Sequence, residues 1–360
     1  MSAKRALRIA ALAGAVLLII AAIVLLERMR AAPAAGAGPG QAAPAPLKEG
    51  QYPLAPELTG ITGYLNGAEE GLKLTDLRGK VVLIDFWTYT CINCIRTLPY
   101  LIAWDESYRD DGLVILGVHT PEFEFEKSAG NVLAAIEKYG ITYRVVQDNE
   151  YATWRAFSNR YWPHKYLIDR EGYIRYDHIG EGGYRETEQQ IRELLEERNE
   201  ALQQTAALEP GVVRPDVHEP FDYRQIGTPE IYFGYGFSRG QLGNAEGWQP
   251  EKAVAYRLPP LIARNKFYLQ GVWKNNQDSM ELLSGTGAIR LDYYARAVNI
   301  VAGASQPVEI TVTADGKKLQ DITVGKYDLY PLVSGTGYGM HSLEISVHGP
   351  GLMAYTFTFG

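Results

Sequence analysis

KVVLIDFWTYTCINCIRTLP, residues 80–99, contains both cysteines of the chain and its clearest strand signal. Residues 80–87 form a continuous apolar run with β-branched side chains, which predicts a strand buried on both faces. Residues 95–108 carry apolar side chains at helical spacing, which predicts a helix. The two cysteines, Cys91 and Cys94, therefore lie where a buried strand gives way to a helix.

The position of this cysteine pair indicates redox chemistry. The backbone N–H groups and the dipole at a helix N-terminus favour the thiolate form of Cys91. Cys94 lies one helical turn further along and can close a disulfide with Cys91. Because the chain has only two cysteines, a disulfide-stapled scaffold and a four-cysteine zinc site are excluded. A structural, redox-inert pair is the alternative.

Two further features lie near the cysteines in the predicted fold. Asp85 stands inside the apolar strand, where burial should raise its pKa, and it could take the proton of Cys94. The alternative is a structural polar group that is hydrogen-bonded. Pro163 follows Trp162 just ahead of an apolar segment, which makes this bond a candidate cis peptide. A cis bond would expose the backbone of Trp162 to an extended substrate, and an ordinary trans loop is the alternative.

Strand and helix signals alternate from residue 57 to residue 203 and predict an α/β domain with helices on both faces of its sheet. After the first strand and helix, the predicted strands are 113–118, 143–147, 166–169 and 173–178, and the predicted helices are 131–139, 150–158 and 185–203.

The composition changes after residue 208, and residues 228–360 predict an all-β sandwich after a linker at 204–227. Asp315–Gly316 is a hairpin signal. The predicted strands are 289–294, 297–301, 308–313, 342–347 and 353–359. Several aromatic residues could stack on sugar rings, and the alternative is that they form the core. These residues are Tyr232, Tyr235, Trp248, Tyr268 and Trp273.

Residues 1–30 predict a membrane anchor or a signal. The apolar run Ile9–Leu26 would span about 27 Å as a helix, close to the thickness of a bilayer core. It exceeds the ~7–15 apolar residues of a cleaved signal peptide, so an uncleaved single-pass anchor is favoured over a cleaved signal. Basic residues before the run favour a cytoplasmic N-terminus with the bulk of the chain outside. Residues 31–56, rich in Ala, Pro and Gly, predict a spacer.

The overall composition excludes other classes of function. The 360 residues suffice for about two domains, and a net charge of -7 without a basic cluster argues against nucleic acid. No glycine-rich phosphate loop is present, and no cofactor or metal is expected. Two further alternatives are less favoured. One is a copper site formed by the two cysteines with His164, and the other is peroxidase activity.

Together these features resemble the thioredoxin-fold disulfide oxidoreductases. The stretch between the strand at Leu113 and Pro163 resembles the insertion of the membrane-anchored TlpA and ResA branch of the AhpC/TSA, or redoxin, superfamily. DFWTYTCINC, HTPEF, DNEYATW and EGGY are similar to DipZ-type proteins, and AYTFTFG and SGTGAIRLDYYARAVNIV resemble their C-terminal module, a jelly-roll that looks like a carbohydrate-binding module. The motif residues that carry the family resemblance are Asp85, Phe86, Trp87, Cys91, Cys94, Pro99 and Pro163.

The resemblance implies roles for four of these residues and for the dipeptide between the cysteines. Cys91 would be the attacking thiol and Cys94 the resolving thiol. Asp85 would be the buried proton acceptor and Pro163 the cis-proline. The dipeptide Ile92-Asn93 between the cysteines would tune the redox potential.

Three further residues are expected to contact the substrate: Trp87, Trp162 and Glu122. Glu122 is taken from an acidic stretch that could form a lip over the site, although a solvated loop is an equal alternative.

These expectations combine into one functional hypothesis. The chain would be a membrane-anchored thiol–disulfide oxidoreductase that has its bulk on the periplasmic, extracytoplasmic side and reduces protein disulfides through the Cys91/Cys94 couple. Resemblance to DipZ-type proteins implies electrons from a CcdA-like transmembrane donor. The alternatives are a disulfide oxidase or isomerase, and a cell-envelope glycan-binding protein with a secondary redox domain.

Overall fold

A computed structural model describes residues 47–48, 51–203, 213, 215 and 222–360. The predicted anchor Ile9–Leu26 and most of the predicted spacer lie outside the described residues. Within the described ranges, no helix is long and apolar enough to cross a membrane. We call residues 51–203 the α/β domain and residues 222–360 the β-domain.

The α/β domain is built on a sheet of six strands. A separate two-stranded ladder of β1 (Leu47–Lys48) and β2 (Tyr52–Pro53) precedes it. The six strands are β3 (Gly63–Leu65), β4 (Val81–Trp87), β5 (Leu113–His119), β6 (Arg144–Gln147), β7 (His164–Ile168) and β8 (Ile174–Ile179). Their order is β3-β6-β5-β4-β7-β8. β4 is parallel to β5 and antiparallel to β7, so it lies at the centre of the sheet.

Four helices accompany this sheet: α1 (Ile92–Tyr108), α2 (Ala129–Tyr139), α3 (Ala152–Ala156) and α4 (Tyr184–Ala201). Side chains of β4 alternate between two apolar clusters, because successive residues of a strand point to opposite faces. Val81 and Leu83 pack in the cluster that contains residues of α1, α2 and α4. Val82 and Ile84 pack in the cluster on the other face. Both faces of β4 are therefore covered, as its uninterrupted apolar sequence predicts.

The predicted elements of this domain all occur, with changes at their ends. The first helix starts at Ile92 instead of Ile95, and the strand after Pro163 starts at His164 instead of Tyr166. The predicted helix 150–158 is limited to Ala152–Ala156. The thioredoxin-like α/β arrangement predicted from the sequence is confirmed.

The β-domain contains one sheet of nine strands. They are β9 (Ile231–Tyr232), β10 (Ala253–Tyr256), β11 (Phe267–Asn275), β12 (Met280–Leu282), β13 (Gly287–Gly303), β14 (Val308–Ala314), β15 (Lys317–Val324), β16 (Asp328–His348) and β17 (Met353–Phe359). Along the sheet the order is β10-β11-β12-β17-β13-β16-β14-β15, with β9 paired to β17. The predicted all-β character is confirmed, while a jelly-roll topology stays a prediction.

One long strand replaces two predicted ones. Residues 289–294 and 297–301 both belong to β13, which continues through a register shift between Ala295 and Ala297. The prediction of two strands was wrong because an irregularity in the pairing with β16 interrupts the alternating pattern without ending the strand. The predicted turn at Asp315–Gly316 joins β14 to β15, with positive φ at both residues.

Three of the five aromatic residues proposed to stack on sugars are buried. Tyr232, Tyr268 and Trp273 are buried. Tyr235 and Trp248 keep partial exposure. The core alternative therefore holds for Trp273, which packs in the main apolar cluster of the β-domain.

Candidate active site

Cys91 caps the N-terminus of α1. Its backbone is extended (φ -73°, ψ 111°), and its Sγ accepts a hydrogen bond from the backbone N–H of Cys94 at 3.2 Å. Both thiols are free; Cys91 is half-buried and Cys94 is buried. One thiol thus lies at the rim of the site and the other lies beneath it, as a pair of attacking and resolving thiols requires.

The thiols of both cysteines have raised pKa values. Burial raises the pKa of Cys91, although its hydrogen bonds to Cys94 oppose this, and the charges of Glu230 and Glu122 raise it further. Burial also raises the pKa of Cys94 well above its usual value, with contributions from Cys91 and Asp85. The expected N–H contact at the helix terminus is present, but the expectation of a favoured Cys91 thiolate was wrong, because desolvation outweighs that contact.

Asp85 lies on β4 with 1% of its surface exposed. Neither carboxylate oxygen has a hydrogen-bond partner within the described ranges. Burial raises the pKa of Asp85 to about 7, and the charge of Lys165 opposes the rise. A carboxyl group with a pKa near neutrality can both accept and release a proton at physiological pH.

Lys165 is a site residue that the sequence reasoning missed. It lies on β7 directly opposite Asp85 in the register with β4, and its side chain is fully buried. Its Nζ donates to the carbonyl oxygen of Gly180 at 3.1 Å. Burial lowers the pKa of Lys165, and Asp85 and Cys94 raise it. The available signal was a lysine inside the apolar segment that follows Pro163, because buried lysines are rare unless they are paired.

The Trp162–Pro163 peptide bond is cis, the conformation expected from the sequence. The carbonyl oxygen of Pro163 accepts a hydrogen bond from the backbone N–H of Gly180 at 2.8 Å. Trp162 is half-buried, and its Nε1 donates to the carbonyl oxygen of Thr120 at 3.0 Å. Its ring lies 4.2 Å from that of Trp154. Trp162 therefore keeps a partly exposed face.

Trp87 does not reach the surface. The side chain is fully buried in the core, with its ring edge-on to His119 at 5.2 Å between centroids. The expectation that Trp87 contacts substrate was therefore wrong, because β4 is covered on both faces over its whole length.

Glu122 lies where the α/β domain meets the β-domain. Its Oε1 accepts a hydrogen bond from the hydroxyl of Tyr232 at 2.8 Å, and the same hydroxyl lies 3.2 Å from Oε2 of Glu230. Burial raises the pKa of Glu122 to about 8, with further increases from Glu230 and Glu126. Glu122 is thus half-buried in a polar cluster of both domains, whereas Glu124 of the same stretch is exposed.

An apolar cluster extends this contact between the domains. Phe123 of the α/β domain packs with β-domain residues, and Ile92, the residue after Cys91, lies against the same cluster. Asn93 completes the dipeptide and is also half-buried. The β-domain members of the cluster are Tyr232, Val301, Leu329 and Tyr355. Sequence reasoning missed this contact and treated the β-domain as a separate module that could bind sugar.

Two family models match separate parts of the chain. Residues 54–177 match the AhpC/TSA family, and residues 228–360 match the thioredoxin-like C-terminal domain. Thiol-disulfide oxidoreductase YkuV of Bacillus subtilis is 30% identical over 142 residues, which are 39% of this chain and 94% of YkuV. The chain belongs to the thioredoxin-fold thiol–disulfide oxidoreductases, and it is an enzyme of that class.

Protein DipZ of Mycobacterium tuberculosis is similar over more of the chain. It is 40% identical over 308 residues, which are 85% of this chain and 43% of DipZ. The chain therefore spans less than half the length of DipZ. Among solved structures, a thioredoxin-like protein in its oxidized form is 30% identical with a TM-score of 0.37, over 40% of this chain and 95% of that one.

Proposed function

We propose that this chain reduces disulfide bonds in proteins through the Cys91/Cys94 couple. The observation that carries the proposal is the position of Cys94 in the buried surroundings of Asp85. Cys94 has a raised pKa, and Asp85 has a pKa of about 7. A thiol that must lose its proton in a buried site requires an acceptor there, and Asp85 is suited to that role.

The reaction proceeds in two exchanges. The Cys91 thiolate attacks one sulfur of the substrate disulfide, a Cys91–substrate bond forms, and the other substrate sulfur leaves as a thiolate. Cys94 then transfers its proton to Asp85 and attacks the Sγ of Cys91. The mixed disulfide breaks, the second substrate thiolate leaves, and Cys91 and Cys94 end as a disulfide. Two electrons pass from the enzyme to the substrate.

The electrostatics of Cys91 support a reductant. A strongly oxidising couple owes its potential to a stabilised reduced form, commonly a thiolate of low pKa. Burial here raises the pKa of Cys91, and Glu230 and Glu122 add to the rise. The reduced form therefore lacks the thiolate stabilisation that favours an oxidase.

We also propose the cellular setting. Segment Ile9–Leu26 would anchor the chain in a membrane, with both domains on the extracytoplasmic side. Resemblance to DipZ-type proteins supports a CcdA-like transmembrane donor that returns electrons to the Cys91–Cys94 disulfide. Loss of substrate reduction in cells that lack such a donor would support this partner, and unchanged reduction would exclude it.

The midpoint potential of the Cys91/Cys94 couple tests the direction of electron flow. Equilibration of the full chain with glutathione buffers is expected to give a value below about -220 mV, near that of thioredoxin. A value above about -180 mV would identify an oxidase or isomerase instead.

A cell-envelope glycan is a second proposed partner, for the β-domain. Of the five aromatic residues predicted to stack on sugar rings, Tyr235 and Trp248 remain partly exposed. Retention of the chain on immobilised envelope glycan, equal for wild type and Cys91→Ser, would support binding that is independent of the thiol.

A further inference from the structure

A cleft of about 480 Å³ lies beside the cysteine pair, between the α/β domain and the β-domain. Ile92 and Asn93 line one side, and the other side is formed by the segment 223–230 with Phe359. This volume lies within the range of about 300–1,000 Å³ that is common for clefts holding a small ligand. It suits a short piece of chain and is too small for the surface of a folded protein.

The wall opposite the cysteines is held in place by contacts between the domains. Tyr223, which lines the cleft, donates its hydroxyl to Oε2 of Glu181 at 2.8 Å. Further along the boundary, Nζ of Lys138 lies 2.7 Å from Oδ2 of Asp328. The buried apolar cluster around Phe123 also stabilises the contact between the domains, through the hydrophobic effect. The wall is therefore a fixed part of the site's surroundings.

The β-domain also contacts the dipeptide between the cysteines. Ile92 packs against the β-domain cluster on one side and lines the cleft on another. Cys91 itself is half-buried. Glu230, which lines the cleft, raises the pKa of the Cys91 thiol through its charge, so the wall of the cleft lies close to that thiol.

We propose that the β-domain is a substrate filter: Cys91 receives its disulfide on an extended polypeptide segment lying in the cleft between Ile92–Asn93 and residues 223–230, and disulfides on folded protein surfaces are excluded. This inference rests on the proposed disulfide exchange at Cys91. It assigns the β-domain a part in the choice of substrate.

The lining of the cleft suits an extended segment. Gly227 and Pro229 are both exposed on this wall, so a bound segment can reach them. Thr228 points its hydroxyl away, donating to Oδ1 of Asn265 at 2.7 Å. Glu230 and Asn93 supply polar groups at the edges of the cleft. Apolar contact with a few polar groups is the usual composition of a ligand cleft.

A single-exchange experiment tests the filter without requiring net reduction. In the full chain with Cys94→Ser, Cys91 is offered a cysteine that is disulfide-linked to thionitrobenzoate. In one probe this cysteine is in an unstructured peptide, and in the other it is on the surface of a folded protein. The Cys91 thiolate attacks the probe sulfur, a Cys91–probe disulfide forms, the probe–thionitrobenzoate bond breaks, and coloured thionitrobenzoate leaves as the anion.

The rates are normalised to those of free glutathione with the same two probes. We expect Cys91 to favour the peptide over the folded probe by about tenfold, because the wall prevents the folded probe from reaching attack geometry. Equal normalised rates would overturn the proposal.

Two matched tyrosine variants locate the filter. Tyr223→Ala widens the cleft, whereas Tyr235→Ala removes another tyrosine whose hydroxyl also binds a glutamate, Glu251, away from the cleft. The peptide preference should fall severalfold in Tyr223→Ala and stay at the wild-type value in Tyr235→Ala. No fall in Tyr223→Ala, or equal falls in both variants, would overturn the proposal.

A third variant covers the case that Tyr223→Ala fails to fold. Tyr223→Trp narrows the cleft and should slow the peptide probe more than a small disulfide such as glutathione disulfide. Equal slowing of both would contradict a cleft that binds chain. A midpoint potential in the range of oxidases would overturn the proposed reductase, but the exchange rates would still decide the filter.

Discussion

Asp85 and Lys165 face each other across the central strands β4 and β7, and both side chains are buried. The two residues influence each other's ionisation, because Lys165 opposes the rise in the pKa of Asp85 and Asp85 opposes the fall in that of Lys165. The proton acceptor proposed for Cys94 is therefore adjusted by a residue that the cysteine motif does not contain.

The first prediction concerns Lys165→Met. Without the lysine charge, the pKa of Asp85 should rise above about 7, so less carboxylate is available at neutral pH. The release of a peptide from its mixed disulfide with Cys91 should then slow by about tenfold at pH 7 and recover at higher pH. Stopped-flow rates across pH measure this. Lys80→Met, at an exposed lysine beside β4, is the control, and an unshifted pH profile in Lys165→Met would contradict the prediction.

The second prediction concerns the pH dependence of stability. The pKa of Asp85 is raised to about 7 in the folded state from 3.8, so the folded chain binds this proton more tightly than the unfolded chain. Stability from this group is therefore lost as the pH rises from the lower to the higher value.

Asp85→Asn removes that loss. The free energy of unfolding of Asp85→Asn minus that of wild type should therefore increase by up to about 4 kcal/mol from pH 4 to pH 8. Urea unfolding at several pH values measures the difference. A difference that is constant with pH would show that Asp85 ionises normally in the folded chain.

The third prediction concerns the charge beside Cys91. Glu230 and Glu122 both raise the pKa of the Cys91 thiol. In a Cys94→Ser background, Glu230→Gln should lower that pKa and speed alkylation by iodoacetamide at pH 8 by about threefold. Glu124→Gln changes an exposed glutamate of the nearby acidic stretch and should leave the alkylation profile unchanged. Identical profiles for Glu230→Gln and wild type would refute the effect.

The fourth prediction concerns the contact between the domains. Tyr232→Phe removes the hydroxyl that donates to Glu122, and its loss should cost about 1–2 kcal/mol of stability. A double-mutant cycle with Glu122→Ala in urea unfolding isolates the pair and should show coupling of about 1 kcal/mol. Tyr235→Phe, at a more exposed pair with Glu251, should cost less. Strict additivity in the cycle would mean that the hydrogen bond contributes nothing.

Much of the α/β domain could be predicted because its signals are local. The apolar run at 80–87 and the helical spacing after it place Cys91 at the start of α1. The prolyl bond at Pro163 was also predictable, because its position ahead of a strand is a local feature. In the β-domain the same reasoning failed at Ala295–Ala297, where a bulge resembles the end of a strand.

The remaining parts of the site depend on contacts between residues that are far apart in the chain. Lys165 faces Asp85 only through the register of β4 with β7. Glu122 and Tyr232 are 110 residues apart. Periodicity and composition report on neighbours in sequence, so they identify strands, helices and a cysteine pair. Which buried lysine faces which carboxylate, and which domain covers which cleft, is decided by packing between separate elements, and only the tertiary structure shows it.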